Sequence, residues 1–167
     1  MTELRLVTIL GQAMREQGFE VWYEVPVSWL GRCDIVGRRD GRYWAVEAKL
    51  SNWCEAWRQA SPHLLVVDYA VIAMPNSTAH RGLSQAKRDM LKLRKGECRH
   101  RDEVGLWSVS GVGDWEELRA PLPSHEVTKY GRELLVRRLE RDRAYYAMPG
   151  GVLVDELALY QRLEGTE

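Results

Sequence analysis

Apolar residues open the chain at helical spacing: Leu6, Val7, Leu10, Ala13 and Met14 share one face of "ELRLVTILGQAMREQGF". Thr2 is placed to cap that helix and Gly18 to end it. From residue 19 the period falls to two. Phe19, Val21, Tyr23 and Val25 alternate with polar residues and predict a strand over 19–25, stopped by Pro26. Residues 32–38 and 42–50 predict two more strands, separated by Asp40-Gly41. A helix follows from a Ser51 or Asn52 cap through "SNWCEAWRQASPHLL", with Trp53, Cys54 and Trp57 on adjoining positions. "VDYAVIAMP" (67–75) is an apolar run of strand length, and it predicts a buried central strand.

The pattern is less regular further on. "GLSQAKRDMLKLR" predicts a helix that buries Leu83, Met90 and Leu91, and "VGLWSVS" (104–110) a strand at or near the sheet edge. "APLPS" (120–124) reads as a hinge before helical patterns over 126–144 and 152–163. The expected architecture is α/β: a mixed central sheet flanked by helices over residues 1–119, with a helical C-terminal extension over 120–167.

The candidate chemistry lies in "RCDIVGRRDGRYWAVEAKLS". Asp-Gly favours a two-residue type I′ hairpin turn. That turn pairs Arg39 with Arg42, and counting back sets Asp34 opposite Glu47. Alternation then puts Glu47 and Lys49 on one face with Asp34 beside them. Two carboxylates opposite each other would have Cβ atoms roughly 5 Å apart, a destabilising arrangement without a cation. Mg²⁺ suits such a site, because it takes one or two carboxylates and keeps waters for a phosphate. Lys49 would place an ammonium where charge develops on a phosphoryl oxygen. The plainer alternative is a hairpin whose acids and lysine face water.

This arrangement of strand Asp, hairpin, strand and Glu-x-Lys resembles the core of the PD-(D/E)xK nuclease superfamily, the restriction-endonuclease-like or RecB-like fold. The likeness covers residues 2 to about 75. It implies Mg²⁺ or Mn²⁺ on Asp34 and Glu47, with the backbone carbonyl of Ala48 as a further ligand and Lys49 assisting the attacking water. Cys33 stands where the family name has proline. Glu3, in the first turn of the first helix, corresponds to the family's helix acid; an acid there also favours the helix dipole without any metal, and Glu24 competes for the role. Gln59 and His63 are similar to a Gln-x-x-x-Tyr signature in which such a glutamine orients substrate or a metal-bound water. Pro62 argues against one helix spanning the pair, and the residues favour a surface position for Gln59 over that role.

Net charge is zero, so nucleic-acid binding would need a local patch. Residues 81–101 supply one, with eight Lys or Arg, Lys87 and Arg88 among them, against Asp89 and Glu97. A solvated helix face carries similar charge. Arg32 falls opposite Lys49, placed either to disfavour the lysine's charge or to contact phosphate. Of seven tryptophans, Trp22, Trp44 and Trp107 fall on strands and suit the core, while Trp29 in the 26–31 loop suits either packing or stacking on a base. Three cysteines without CxxC spacing fit a reducing compartment, and four scattered histidines argue against zinc. No run approaches membrane length and "LRLVTIL" is too short for a signal peptide, so the expected location is the cytoplasm, with no membrane partner.

The expectation is a metal-dependent nuclease acting on DNA, RNA not being excluded, and of an endonuclease kind used in repair, phage genome handling or defence. A homodimer would suit cleavage of both strands. Two other readings stand beside it: a nuclease fold without catalysis, serving DNA binding or assembly, and an unrelated α/β interaction protein.

Overall fold

The computed structural model describes residues 1–27, 31–93 and 103–141, with the side chains of 85–93 outside the description. Helix α1 (Glu3–Glu16) starts where Thr2 Oγ1 accepts the Arg5 amide at 3.1 Å. Its apolar stripe, Leu6, Val7, Leu10, Ala13 and Met14, is buried throughout. Strands β1 (Glu20–Pro26), β2 (Arg32–Arg39) and β3 (Arg42–Ala48) form an antiparallel meander. The β2–β3 turn is as the sequence predicts: Arg39 pairs with Arg42, and Asp40 and Gly41 both take positive φ, 52° and 72°.

Helix α2 (Trp53–His63) then crosses over to β4 (Tyr69–Pro75), which lies parallel to β3. Helix α3 (Asn76–Leu93) leads to β5 (Gly105–Val109), parallel to β4, and β6 (Trp115–Arg119) returns antiparallel along β5. The described residues therefore form a six-stranded mixed sheet in the order β1-β2-β3-β4-β5-β6. One face packs on α1 through Tyr23, Ile35, Val46, Val71 and Trp107. The other packs on α2 and α3 through Ala70, Ile72 and Leu106, and on α4 (Lys129–Arg141) through Val36, Tyr43, Leu135 and Leu139. No helix of the described residues is long and apolar enough to cross a membrane.

Several elements differ from their sequence patterns. Helix α2 continues through Pro62 to His63, because a proline in the last turn forfeits only one backbone bond. Helix α3 starts at Asn76, directly after β4, so it includes the polar "NSTAH" ahead of the "GLSQAKRDMLKLR" pattern. Strand β5 is covered by β6, whose period is masked by charge in "WEELR"; Trp115 stacks on Trp107 with ring centroids 4.8 Å apart. Trp44 is half-buried rather than core, stacked on Tyr69 at 4.3 Å.

Helix α1 approaches β1 closely at Gly11. A Cβ there would overlap the buried Tyr23 ring, with Cε1 2.5 Å away. Gly11→Ala is therefore expected to lower stability by about 1–3 kcal/mol, outweighing a helix-propensity gain of about 1 kcal/mol. A urea titration showing an equal or higher midpoint would contradict this packing.

Candidate functional site

Three carboxylates occupy neighbouring positions on β1, β2 and β3. Glu24 and Asp34 lie between the pairs Tyr23↔Ile35 and Val25↔Cys33, and Glu47 lies one step beyond Ile35↔Val46. Both β1 and β2 change face at this rank. Tyr23 and Ile35 pack toward α1, whereas Val25 and Cys33, two residues along each strand, join the cluster under α4. Val25 thus does not share the face of Tyr23, as simple alternation predicts. The twist is taken up at Glu24, whose φ of 53° is an uncommon conformation for a residue with a side chain.

The backbone pairing of β2 with β3 lapses at the same place. Beyond Ile35↔Val46, Asp34 Oδ2 accepts the Ala48 amide at 2.8 Å. Burial pushes the Asp34 carboxyl up to about 7; the charge of Glu47 and, more weakly, of Glu24 adds to the shift, while the Ala48 amide and Lys49 oppose it. The carboxyl thus sits among like charges without enough positive charge to hold it ionised.

Glu47 is buried, 3% exposed, and its Oε1 lies 2.6 Å from His63 Nε2 in the last turn of α2. Lys49 departs from the expected alternation because β3 ends at Ala48. Its amide still bonds the Ala73 carbonyl at 3.0 Å, but its Nζ lies 3.7 Å from Glu3 Oε2 at the start of α1. Glu47 is thus held from the α2 side and Lys49 from the α1 side, with both charges acting on Asp34 between them. Cys33 Sγ, a Glu47 oxygen and a His63 nitrogen also lie within 4.8 Å of one another. The thiol, however, donates to the Ile35 carbonyl at 3.0 Å. Burial first, then Glu47 and Asp34, push its pKa well up, so the buried thiol is held protonated. The accessible donor set is therefore oxygen, which suits a hard divalent ion.

The other sequence candidates fall at varying distances from this centre. Ala48 is fully buried and pairs with Ala73. Arg32 does not pair with Lys49: it is exposed, sits opposite Pro26, and bonds Glu24 at 3.4 Å, because the ladder to β3 has ended. Gln59 is half-buried rather than on the surface, and its Oε1 is shielded from solvent without a hydrogen-bond partner among the described residues. Lys87 and Arg88 fall on α3, with side chains outside the described ones; Trp29 lies outside the described residues. Sequence reasoning missed the link from His63 to Glu47. The signal was a histidine within the buried stripe Ala56, Trp57, Ala60, His63, where an apolar residue is the rule.

A groove of about 710 Å³ opens two residues beyond Lys49, between the start of α2 and the first turns of α3. Trp53 and Met74 line it with Ser51, Asn52, Thr78, Ser84, His80 and Arg81, the last two exposed.

The described residues define a mixed α/β protein with a six-stranded sheet covered by helices on both faces. No family model matches the chain, and no curated protein does. Among solved structures, the chain is similar to the SPO1766 protein of unknown function from Silicibacter pomeroyi, with a TM-score of 0.62 and 19% identity, over 100% of this chain and 96% of that one. At that identity the likeness speaks to the fold alone.

Proposed function

We propose that the protein is a metal-dependent nuclease of the PD-(D/E)xK type, hydrolysing DNA phosphodiester bonds. The observation that carries the reading is the convergence of Asp34, Glu47 and Lys49, with the Asp34 carboxyl raised to about 7 by burial and neighbouring carboxylates. Such a site gains stability when a cation arrives. The donors fit Mg²⁺ or Mn²⁺. Asp34 keeps Oδ1 free of the Ala48 bond, Glu47 keeps Oε2 free of the His63 bond, and the Ala48 carbonyl is a further candidate. When bound, the ion would supply an activated water and neutralise phosphate charge.

The chain's own groups have distinct tasks in this reading. The Ala48 amide fixes the Asp34 carboxylate against the end of β3. Lys49, tethered by Glu3, brings an ammonium that orients the attacking water and offsets charge on the phosphoryl oxygens. Glu24 contributes negative charge from β1, with Arg32 as its counterion. The substrate is DNA, with the backbone passing along the groove that begins at Ser51 and Arg81 meeting a phosphate.

The deciding experiment is a gel assay on supercoiled plasmid and on branched and single-stranded oligonucleotides, in Mg²⁺, Mn²⁺ or EDTA. Cleavage that requires metal supports the reading, and cleavage unaffected by EDTA would refute it. For the groove, Arg81→Glu is expected to weaken DNA binding and lower the salt dependence of log K by about one. An unchanged slope in a fluorescence titration would remove Arg81 from the substrate path.

A second reading, the nuclease fold kept as a DNA-binding or assembly module, draws on the pairing of Lys49 with Glu3 and of Glu47 with His63. DNA binding without metal binding or cleavage of any tested substrate would select it.

A further inference from the structure

We infer that His63 is a positioning residue for Glu47: it ties down Oε1 and so leaves Oε2 available to a divalent cation. This rests on the metal-dependent reading above. The Nε2 to Oε1 distance is 2.6 Å, and the two residues are 1% and 3% exposed. With Glu47 ionised, Nε2 is the donor, and a bond this short to a buried carboxylate is of the strong, charge-assisted kind.

Among the described residues, His63 is the one side chain that hydrogen-bonds the Glu47 carboxylate. The neighbouring Ala48 amide is taken by Asp34, and the Cys33 thiol donates to backbone carbonyls. His63 Nδ1 is buried without a hydrogen-bond partner among the described residues, so the bond to Glu47 is the ring's one polar tie there. The backbone beneath the ring is fixed too. The His63 carbonyl accepts the Val66 and Val67 amides at 2.9 and 3.0 Å, closing α2 into the turn that leads to β4. A buried carboxylate stripped of its donor would turn outward or take up a proton. Either change costs the site a fixed oxygen.

The test is Mn²⁺ binding by titration calorimetry, with thermal midpoints recorded for the wild-type protein, His63→Leu and His63→Gln. Wild-type binding is measured first. His63→Leu is expected to weaken Mn²⁺ affinity by about 10–100-fold. His63→Gln, which keeps an N–H donor, is expected to stay within about threefold of wild type. Wild-type affinity in a folded His63→Leu, or equal losses in both variants, would overturn the inference and leave the metal-dependent reading standing. If His63→Leu does not fold, a folded His63→Gln that binds within threefold supports the inference, and one that loses more overturns it. A wild-type protein that binds no Mn²⁺ would overturn both.

Discussion

Asp34→Asn is expected to be inactive in metal-dependent cleavage and, at pH 8 without metal, more stable than the wild-type protein. Asn retains a carbonyl oxygen for the Ala48 amide but carries no charge. The unfolded chain releases the Asp34 proton near 3.8 and the folded chain near 7. Between those values the folded state holds the extra proton, so wild-type stability falls as pH rises through that window and levels off above it. Three units would amount to roughly 4 kcal/mol at about 1.4 per unit. Partial exposure of Asp34 reduces this, and a gain of about 2 kcal/mol is expected for the variant at pH 8, vanishing near pH 4. Urea titrations in EDTA at pH 4, 6 and 8 read this directly. Parallel pH profiles for the two proteins would show that Asp34 is not strained by its neighbours. Mg²⁺ should restore stability to the wild type and do nothing for the variant.

Lys49→Ala should separate binding from chemistry. The carboxylates and the Ala48 amide remain, so Mn²⁺ affinity by calorimetry should hold or rise slightly as a nearby positive charge is removed. Cleavage should fall by about 10²–10⁴-fold, the range for losing a positioned proton-transfer or charge-stabilising group. Activity within a few-fold of wild type would leave Lys49 with only its tie to Glu3 at 3.7 Å.

Local patterns carried the meander. The amphipathic stripe of α1, the Thr2 cap and the Asp40-Gly41 turn each act over a few residues, and the structure has all three. The turn sets the register as far as Ile35↔Val46, and Asp34 and Glu47 each lie one residue beyond that pair. The nearness of the two acids could thus be read from sequence, although the direct Asp34–Glu47 pairing it predicted is replaced by the Asp34 bond to the Ala48 amide. What escaped depends on contacts between distant segments. The change of face at Glu24 follows from how β1 and β2 twist together, which no single-strand period reveals. Lys49 was assigned to the face of Glu47 because its alternation was carried past Ala48, where pairing with β2 has already ended and α1 supplies the partner. His63 was visible only as part of a spacing motif, since its bond to Glu47 depends on how α2 docks on the sheet.

The two-residue turn at Asp40-Gly41 is also a ruler. It measures out the distance from Arg39 back to Asp34 and from Arg42 forward to Glu47. One residue added elsewhere in a surface connection would pass unnoticed by the carboxylates. Added here, it would slip β2 against β3 and turn one strand's side chains over. Asp34 would lose the Ala48 amide and its place beside Glu47, although every residue of the motif would still be present. A search for relatives of this site should therefore score the length of that turn as strictly as the identity of its acids.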